Sequence, residues 1–250
     1  MGLEMEVMKR LSVSVAMAAY NGEKYIYDQI VSILNQLSDE DELIISLDLS
    51  KDNTKRIINS FQDHRIQLID GPAQGVKKNV ENALKHCKNE IIFLADQDDV
   101  WLDNKVNKVL NSFKDDICVV LHDCSIVNNE MEILDNSFFT LKNVDTGILH
   151  NLIKNGYIGC CMAFKKELLD LILPIPSYIY MHDQWIGMVG DYIGKNHLIK
   201  EPLIYYRRHD ENVSSMKHGK VFEMIKKRIS MVKAYFELRK RFKIVREGNL

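Results

Sequence analysis

Length, composition and charge exclude several classes of protein for this chain. Its 250 residues suit one large α/β domain with a helical appendage, and the formal net charge is −2 at pH 7. The five cysteines are odd in number and show no Cys-x-x-Cys spacing, which disfavours a disulfide framework or a zinc cluster and indicates a reducing compartment. Because no apolar run approaches the roughly 20 residues of a membrane span and residues 1–10 lack the apolar region of a secretory signal, we expect a cytoplasmic protein.

The first half of the chain alternates predicted strands with predicted helices. Apolar runs predict strands at residues 11–19, 43–47, 65–69 and 91–95. The helices between them carry apolar residues at spacings of three and four, over residues 25–37, 57–61 and 76–86. This alternation is typical of βαβ units, so we predict an α/β fold with a largely parallel sheet wound right-handedly.

The most informative stretch covers residues 90–105. Its apolar run, residues 91–95, predicts a strand buried on both faces, and the carboxylates Asp96, Asp98 and Asp99 follow at once. In open α/β sheets, ligands bind beyond the carboxyl ends of the strands, so we expect these acids to face a site. Asp96 and Asp98 can turn toward one divalent cation that bridges to phosphates. The alternative is an acidic turn that caps the next helix.

The second half of the chain is less regular. A helix follows Trp101, and a strand is predicted at residues 117–121, but residues 122–155 show no strong period and could hold a substrate lid or an acceptor loop. The remaining predicted elements are a short strand at 159–164, a helix at 165–173, a helix that follows residues 180–185 and runs through 192, and a strand at 199–206.

The C-terminal tail differs from the body in charge. Residues 217–250 hold 11 Lys or Arg against 3 acids, whereas residues 1–216 hold 22 against 32. Apolar residues recur at positions 221, 225, 229, 232, 236, 238, 242 and 245, which predicts a long basic amphipathic helix. Two interpretations stay open, a helix docked by its apolar stripe on the body or a partner, and a helix that binds an anionic membrane surface. The acidic body argues against nucleic-acid binding.

Five blocks of the sequence, taken in order, resemble glycosyltransferase family 2. They are residues 14–22, 29–36, 50–54, 96–101 and 182–185, within a resemblance that covers about residues 11–216 and excludes the basic tail. The resemblance implies a GT-A fold, with a mixed, mostly parallel sheet flanked by helices. It divides the chain into an N-terminal extension (1–10), a glycosyltransferase domain (11–216) and a basic helical tail (217–250).

The resemblance also implies a set of donor-binding residues. Tyr20 would border the nucleobase of a nucleotide-diphosphate sugar, and Asp48 would accept a hydrogen bond from the imide N–H of the base. Asp96 would contact the ribose or the diphosphate. Asp98 would ligate Mg²⁺ or Mn²⁺, with His209 as a further metal or diphosphate contact. Such residues suit the reaction, because a cation offsets the charge that develops on the leaving diphosphate.

For the acceptor side, the resemblance implies that Asp183 is the general base. An acceptor hydroxyl is a weak nucleophile, so a carboxylate on the opposite face of the sugar must take its proton. The alternative for Asp183 is the N-cap of the following helix. Trp185 could stack on an acceptor sugar or fill the core, and we expect His182 to pack or to support its neighbours.

Other residues of the expected site are less clear from the sequence. Lys77 and Lys78, at the start of the third helix, could contact donor phosphates, although lysines on helices are usually solvated. Where the family usually shows Asp-Asp-Gly-Ser, this chain has Leu47-Asp48-Leu49-Ser50. The acid needed for base recognition is kept, while Leu49 in place of glycine alters the turn.

The expected function is an inverting, metal-dependent transfer of a sugar to a saccharide or lipid-linked acceptor in bacterial surface polysaccharide synthesis. The amino-acid sequences at residues 96–101 and 182–185 resemble those of the rhamnosyltransferase-type branch. We therefore expect dTDP-rhamnose to be the first donor to test and UDP-sugars the second. A nucleotidyltransferase is an alternative, but it would carry a Gly-rich basic loop after the first strand. A non-catalytic binding module is another, and a homo-oligomer stays open.

Overall fold

A mixed sheet of nine strands organises the computed structural model, which describes residues 10–114, 116–209 and 221–248. The strands are β1 (Val13–Ala19), β2 (Glu42–Leu47), β3 (Ile66–Asp70), β4 (Ile91–Asp96), β5 (Val100–Trp101), β6 (Ile117–Val127), β7 (Ile133–Asp135), β8 (Met162–Lys165) and β9 (Lys195–Arg207). Residues 1–9 of the predicted extension and the predicted boundary between domain and tail lie outside the described residues.

Helices cover both faces of this sheet. They are α1 (Ile26–Leu34), α2 (Thr54–Ser60), α3 (Val76–His86), α4 (Lys105–Leu110), α5 (Phe138–Lys142), α6 (Ile148–Ile153), α7 (Leu169–Ile172), α8 (His182–Ile193) and α9 (Val221–Gly248). Two short 3₁₀ helices lie at Gly159–Cys161 and Lys166–Leu168. Among the described residues, none of these helices combines the length and the apolar character needed to cross a membrane.

The strand order brings the predicted site residues to one edge. Strands β3, β2, β1 and β4 are neighbours and pair in parallel, so their carboxyl ends lie together. Tyr20, Asp48 and Asp96 stand at or just beyond the ends of β1, β2 and β4. Antiparallel pairs add β8 to β4 and β6 to β8, while β9 runs parallel to β6 and antiparallel to β5. This is the predicted mixed sheet, and its first half is a wound parallel unit of the kind in which ligand sites lie at the carboxyl ends of the strands.

Alternating side chains divide the core between the two faces. In β1, Val13, Val15 and Met17 pack with residues of α1, α2 and α4, whereas Ala16 belongs to the opposite layer with residues of α3, α7, α8 and α9. Both layers are continuous clusters of buried apolar side chains. The sheet is therefore covered on both sides, as expected for parallel strands with continuously apolar sequences.

The stretch without a sequence period is more regular than expected. β6 does not end at residue 121 but continues, fully buried, to Val127, and β7, α5 and α6 follow. Asp123 is tolerated inside this strand because its carboxylate accepts hydrogen bonds from the backbone N–H groups of Cys124 and Phe139 and from the Ser137 hydroxyl. These contacts across the chain are invisible in a local pattern.

Two predicted elements before α8 need correction. The segment predicted as a strand at 159–164 begins with the 3₁₀ helix Gly159–Cys161, and β8 starts only at Met162. A Cβ on Gly159 would lie 2.9 Å from the His182 Nε2 atom. The glycine therefore lets the backbone of this segment pass close to the His182 side chain. The helix predicted at 165–173 is a 3₁₀ turn followed by the short α7.

The predicted tail helix is present as α9, but its apolar residues do not form one stripe. One set is buried against the body and comprises Met231, Ala234 and Leu238. Another set is exposed and comprises Ile225, Ile229, Val232 and Phe236. The predicted apolar positions therefore divide between a face docked on the body, which includes Leu238, and a second, exposed face.

Candidate active site

The carboxyl end of β4 delivers three carboxylates into a small space. Asp96 ends the strand, and its carbonyl accepts a hydrogen bond of 2.7 Å from the Gln29 side chain of α1. Asp99 is fully buried, and its Oδ1 accepts from the Arg207 backbone N–H at 3.1 Å. Carboxylate oxygens of Asp96 and Asp99 lie within 4.8 Å of each other and of the Cys160 sulfur. The acidic turn is therefore part of a packed cluster and not a helix cap, since α4 begins only at Lys105 with Asn104 as its N-cap.

Gln97 locks the ends of β1 and β4 together. Its side chain accepts a hydrogen bond from the Tyr20 N–H and donates one to the Tyr20 carbonyl, each at 2.9 Å. A Cβ on Gly22 would lie 2.3 Å from the Gln97 Oε1 atom, so only glycine leaves room for this side chain. The two predicted donor-side segments are thus held in a fixed relative position.

Asp98 and His209, the two residues predicted to hold a metal ion, are in contact. The Asp98 Oδ2 and His209 Nε2 atoms are 2.8 Å apart, and the two side chains retain 13% and 7% exposure. The His209 ring stacks on Tyr25 with a centroid separation of 4.8 Å, and the Arg207 guanidinium lies 4.7 Å from the same Tyr25 ring. This stacking orients the imidazole toward the end of β4.

A buried lysine supplies positive charge to the acidic cluster. Lys105 is completely buried, donates to the Cys160 carbonyl at 3.1 Å and lies 3.8 Å from the centroid of the Trp101 ring. Burial lowers the pKa of Lys105 to about 8, so the side chain is mostly protonated at neutral pH. Its charge acts on Asp96 and Asp99 and partly offsets the crowding of the carboxylates.

Asp183 approaches the same site from the first turn of α8. The N-cap of this helix is Met181, which excludes the N-cap alternative for Asp183. Its Oδ1 accepts the Gln184 N–H at 2.6 Å, and the backbone of Gly159 donates a further hydrogen bond. Burial of the 8%-exposed residue raises the pKa of Asp183 to about 6, despite these hydrogen bonds. The carboxylate is therefore ionised at neutral pH but readily protonated.

The charges of Asp98 and Asp183 both act on the Asp96 carboxylate. Its pKa is raised to about 7, first by burial and then by the charges of Asp98 and Asp183. Asp98 and Asp183 come from distant parts of the chain, yet each is near enough to Asp96 to alter its protonation. The predicted donor and base residues therefore converge on one site.

The donor groups at this point fit a hard divalent cation. Asp96 and Asp98 offer carboxylate oxygens and His209 offers an imidazole nitrogen, which are ligands for Mg²⁺ or Mn²⁺. A cation would also relieve the charge crowding that raises the pKa of Asp96. Cys160 does not belong to such a set, because burial raises the pKa of its thiol well above the usual value and keeps it protonated.

Tyr20 and Asp48 lie at the mouth of the parallel half. Tyr20 is half exposed, while Asp48 is buried and its Oδ1 accepts the Ala73 N–H at 2.8 Å. A Cβ on Gly71 would lie 2.3 Å from the same oxygen, so the loop after β3 is fitted closely around Asp48. Leu49, which replaces the family's glycine, points into solvent with 76% exposure. The departure therefore leaves the position of Asp48 intact.

The two lysines of α3 have partners of their own. Lys78 lies 2.8 Å from the Glu81 carboxylate and is not brought to the acidic cluster. Lys77 donates to the carbonyls of Pro176, Ser177 and Ile179 at 2.5–3.4 Å, which holds the segment before α8. Lys77 holds the segment before α8, whereas Lys78 is partly exposed and has N–H donors besides the one directed at Glu81, so its phosphate contact stays a prediction.

Trp185 is part of the core, which corrects the acceptor-binding prediction. Its side chain is fully buried, and its Nε1–H donates to the Ile172 carbonyl at 2.9 Å. No exposed ring face remains for an acceptor sugar. The neighbouring His182 is also buried, which lowers its pKa to about 4 and keeps it neutral, in agreement with a packing residue.

The sequence interpretation missed several residues that shape the site. Gln97 and Lys105 lie inside or just after the acidic motif, but their partners Tyr20 and Cys160 are far away in the chain. The 3₁₀ helix Gly159–Cys161 joins Asp183 to the acidic cluster, and its only local signal was a run of small residues.

Comparisons with known proteins agree with this geometry. The chain is 31% identical to the Escherichia coli UDP-Glc:alpha-D-GlcNAc-diphosphoundecaprenol beta-1,3-glucosyltransferase WfgD, over 72% of this chain and 70% of that protein. It is 32% identical to the Shigella flexneri dTDP-rhamnosyl transferase RfbG, over 45% of this chain and 38% of that one.

A solved structure and a family model complete the comparison. The S. aureus TarS 1–349 structure in complex with UDP-GlcNAc superposes with a TM-score of 0.69 at 17% identity, covering 89% of this chain and 66% of that one. The chain thus spans about two thirds of the TarS fragment, and the likeness shows a shared GT-A-like fold. The model of glycosyl transferase family 2 matches residues 14–173, more than half of the sequence. The chain belongs to glycosyl transferase family 2.

Proposed function

We propose that this protein is an inverting, metal-dependent glycosyltransferase of bacterial surface polysaccharide synthesis. It moves a sugar from a nucleoside-diphosphate donor to a hydroxyl of a saccharide or lipid-linked acceptor. One observation carries the proposal, namely that the 3₁₀ helix Gly159–Cys161 hydrogen-bonds Asp183 through the Gly159 backbone while its Cys160 sulfur lies within 4.8 Å of the Asp96 and Asp99 carboxylates. A donor-binding acid and a buried base therefore share one site, as a displacement at the anomeric carbon requires.

The donor lies across the carboxyl ends of the parallel strands. Tyr20 borders the nucleobase, and Asp48 accepts from its imide N–H while the Ala73 N–H holds the carboxylate in place. Uracil and thymine both offer this N–H, so Asp48 does not choose between them. WfgD, which is named for UDP-Glc, matches more of this chain than RfbG does, so UDP-glucose deserves a test beside dTDP-rhamnose.

Asp183 acts as the general base. Its carboxylate takes the proton of the acceptor hydroxyl as that oxygen attacks the anomeric carbon from the face opposite the diphosphate. The bond between the anomeric carbon and the diphosphate oxygen breaks, and the nucleoside diphosphate leaves with the bonding electrons. A pKa of about 6 keeps Asp183 ionised at neutral pH and still basic enough to accept the proton.

Asp98 and His209 would hold the divalent cation, and Asp96 would face the ribose or the diphosphate. When bound, the cation supplies positive charge that stabilises the leaving diphosphate. The buried positive charge of Lys105 stabilises the ionised forms of Asp96 and Asp99. The hydrogen bonds between Gln97 and the Tyr20 backbone fix the position of this acidic turn relative to Tyr20, which borders the nucleobase.

We place the reaction in the cytoplasm at the inner face of the membrane. The name of WfgD specifies an acceptor sugar carried on diphosphoundecaprenol, a membrane lipid. A chain of this kind would meet a soluble nucleotide sugar on one side and a membrane-anchored sugar on the other.

A thermal-shift panel tests donor and metal binding. The melting temperature is measured with UDP, dTDP or GDP, each with and without Mn²⁺, because a ligand bound only by the folded state raises it by mass action. We expect UDP or dTDP to stabilise the protein, and Mn²⁺ to increase the shift. Asp98→Asn should remove the metal-dependent part.

Asp103→Asn is the matched control, since Asp103 is an exposed acid a few residues further along. It should leave both parts of the shift unchanged. Equal shifts with all nucleotides, or a metal effect that survives Asp98→Asn, would contradict the proposal. Transfer itself is then measured with UDP-glucose and dTDP-rhamnose, and the absence of transfer across a wider donor panel would favour a binding module.

A further inference from the structure

We propose that helices α6 and α9 form a docking surface for the anionic face of a lipid bilayer. The part of this proposal that concerns a membrane-embedded acceptor rests on the proposed function, whereas binding to the bilayer does not. The surface, called here the α6–α9 patch, consists of the exposed apolar side chains Leu149, Ile153, Ile225, Ile229, Val232 and Phe236.

The first step concerns the two faces of α9. Met231, Ala234 and Leu238 are buried and attach the helix to the body. The other four apolar residues recur at spacings of four, three and four, so they share one helix face, nearly opposite the docked face. They are Ile225, Ile229, Val232 and Phe236, with exposures between 45% and 64%. The packing of α9 on the body therefore does not account for this second stripe.

Helix α6 extends the patch. Its residues Ile148 and Leu152 pack against the core, whereas Leu149 and Ile153, one position further on, are 78% and 70% exposed. The Arg228 guanidinium of α9 donates to the Ile153 carbonyl at 3.0 Å, so the two helices are joined at the patch. Two independent elements thus present apolar side chains beside each other, and exposed apolar patches of this kind mark interaction sites.

Basic residues continue the outward face of α9. Beyond Phe236, the same side of the helix carries Arg239, Lys240, Lys243 and Arg246. Glu247 also lies there, 3.7 Å from Lys243. An apolar stripe followed by cationic turns matches a bilayer interface, where apolar side chains enter the acyl boundary and cations meet the phosphates of the head groups.

The charge of this face disfavours parallel pairing with a second copy of the chain and favours an anionic bilayer. A copy would present the same cations, and a parallel pairing of two α9 helices would bring Arg239, Lys240 and Lys243 against identical charges. Anionic head groups neutralise these cations, and a fluid interface accommodates an apolar stripe of any register. The chemistry of the patch therefore favours lipid.

The patch is mechanically connected to the catalytic base. Arg241 of α9 donates to the Pro174 carbonyl at 2.9 Å, and Glu237 accepts a hydrogen bond from the Tyr178 hydroxyl. The Lys227 ammonium lies 5.4 Å from the Tyr180 ring centroid. These contacts hold the segment that runs directly into α8 and Asp183. A bilayer bound to α9 would thus lie at a fixed position relative to the base that receives a membrane-anchored acceptor.

Vesicle co-sedimentation tests the surface. The full chain is mixed with vesicles of phosphatidylcholine alone or of phosphatidylcholine with phosphatidylglycerol, at low and high salt. We expect binding to the anionic vesicles, weakened by salt. Because apolar burial and each basic residue near the surface contribute separately, the double variants Ile229→Ser/Phe236→Ser and Arg239→Glu/Lys243→Glu should each weaken binding at least about tenfold.

Matched controls alter exposed residues elsewhere. Ile133→Ser/Leu134→Ser changes two exposed apolar side chains of β7, and Lys200→Glu reverses an exposed charge on β9. Both should bind vesicles like the original chain. Equal loss in the control variants, or no binding by the original chain, would overturn the proposal. So would a dimer in solution that dissociates in Ile229→Ser/Phe236→Ser while vesicles are not bound.

Transfer assays separate this proposal from the proposed function. With a water-soluble acceptor, Ile229→Ser/Phe236→Ser should keep the full rate, and with the same sugar on a long-chain lipid in anionic vesicles it should lose most of it. Vesicle binding without any transfer would refute the proposed function and leave the docking surface standing. Transfer to the vesicle-bound acceptor at an unchanged rate in this variant would refute the docking surface alone.

Discussion

The donor side and the base side of the site are built by different means. On the donor side, side chains at the strand ends are held by hydrogen bonds, such as those between Gln97 and Tyr20 and between Asp48 and Ala73. On the base side, Asp183 accepts hydrogen bonds from the backbone of Gln184 and Gly159, and burial is the largest influence on its pKa. Hydrogen-bonded side chains suit the binding of the proposed diphosphate donor, whereas burial raises the pKa of a single carboxylate and makes it a better base.

This difference separates binding from proton transfer. A change at Asp183 should affect the chemical step and leave the donor in place, because the donor-side clamps do not include it. A change among the acids of β4 or their counter-charge should affect nucleotide and metal binding, together with the stability of the fold. The following predictions test this division, beginning with the largest effect.

Asp183→Asn should reduce the rate of transfer by about 10²–10⁴-fold, because a general base contributes that much. Binding of the nucleotide and of Mn²⁺, followed by thermal shift, should be unchanged. Asp170→Asn, an exposed acid before α8, is the control and should keep full activity. Normal transfer by Asp183→Asn would show that another group is the base and would break the comparison.

Lys105→Met should lower the free energy of unfolding by about 1–3 kcal/mol, because it leaves the buried Cys160 carbonyl without this hydrogen-bond donor and removes a positive charge that acts on Asp96 and Asp99. Urea denaturation measures this. Lys108→Met on the same helix alters an exposed ion pair with Glu201 and should change stability by less than about 1 kcal/mol. Equal effects of the two variants would show that the buried charge is not needed by the donor side.

Trp185→Phe should destabilise the protein by about 1–3 kcal/mol, because the Ile172 carbonyl loses the 2.9 Å hydrogen bond from the indole and keeps the longer one of 3.4 Å from Arg241. The KM for the acceptor should stay the same, since the ring has no exposed face. Steady-state kinetics with varied acceptor concentration provides the measurement. An increase in KM with unchanged stability would restore the acceptor-binding interpretation.

The pH dependence should be opposite for activity and for stability. Transfer requires ionised Asp183, so the rate should rise about tenfold per pH unit below about pH 6 and level off above it. The same carboxyl binds its proton more tightly in the folded state than at its ordinary pKa of 3.8, so its contribution to stability is largest at low pH and is lost as the pH rises through about 6. A rate that is flat through this range would exclude Asp183 as the titrating base.

The sequence predicted the parallel half well because its signals are local. Apolar strands, intervening helices and acids at the strand ends all lie within short windows, and the structure places Tyr20, Asp48 and Asp96 at one edge. The acidic motif and the segment at residues 182–185 also indicated that distant carboxylates converge. The action of the Asp98 and Asp183 charges on Asp96 agrees with that expectation.

Features that depend on distant partners could not be read from the sequence. Trp185 has the same local surroundings whether it stacks on a sugar or fills the core, and only its contact with Ile172 decides. The length of β6 was hidden because Asp123 finds its hydrogen-bond donors in a later segment. The spacing of apolar residues in α9 also fits either of two faces, and only the docked position of the helix distinguishes them.

Lys77 links the parallel half of the fold to the segment that precedes α8. Its ammonium group reaches from α3, beside the parallel strands, to three carbonyl oxygens just ahead of α8. A chimera that combined the first half of this chain with the acceptor half of a relative would keep its alignment only if the incoming loop offered the same carbonyls at that spot. In this chain, the position of the segment that leads into Asp183 therefore depends on a lysine of the opposite half of the sheet.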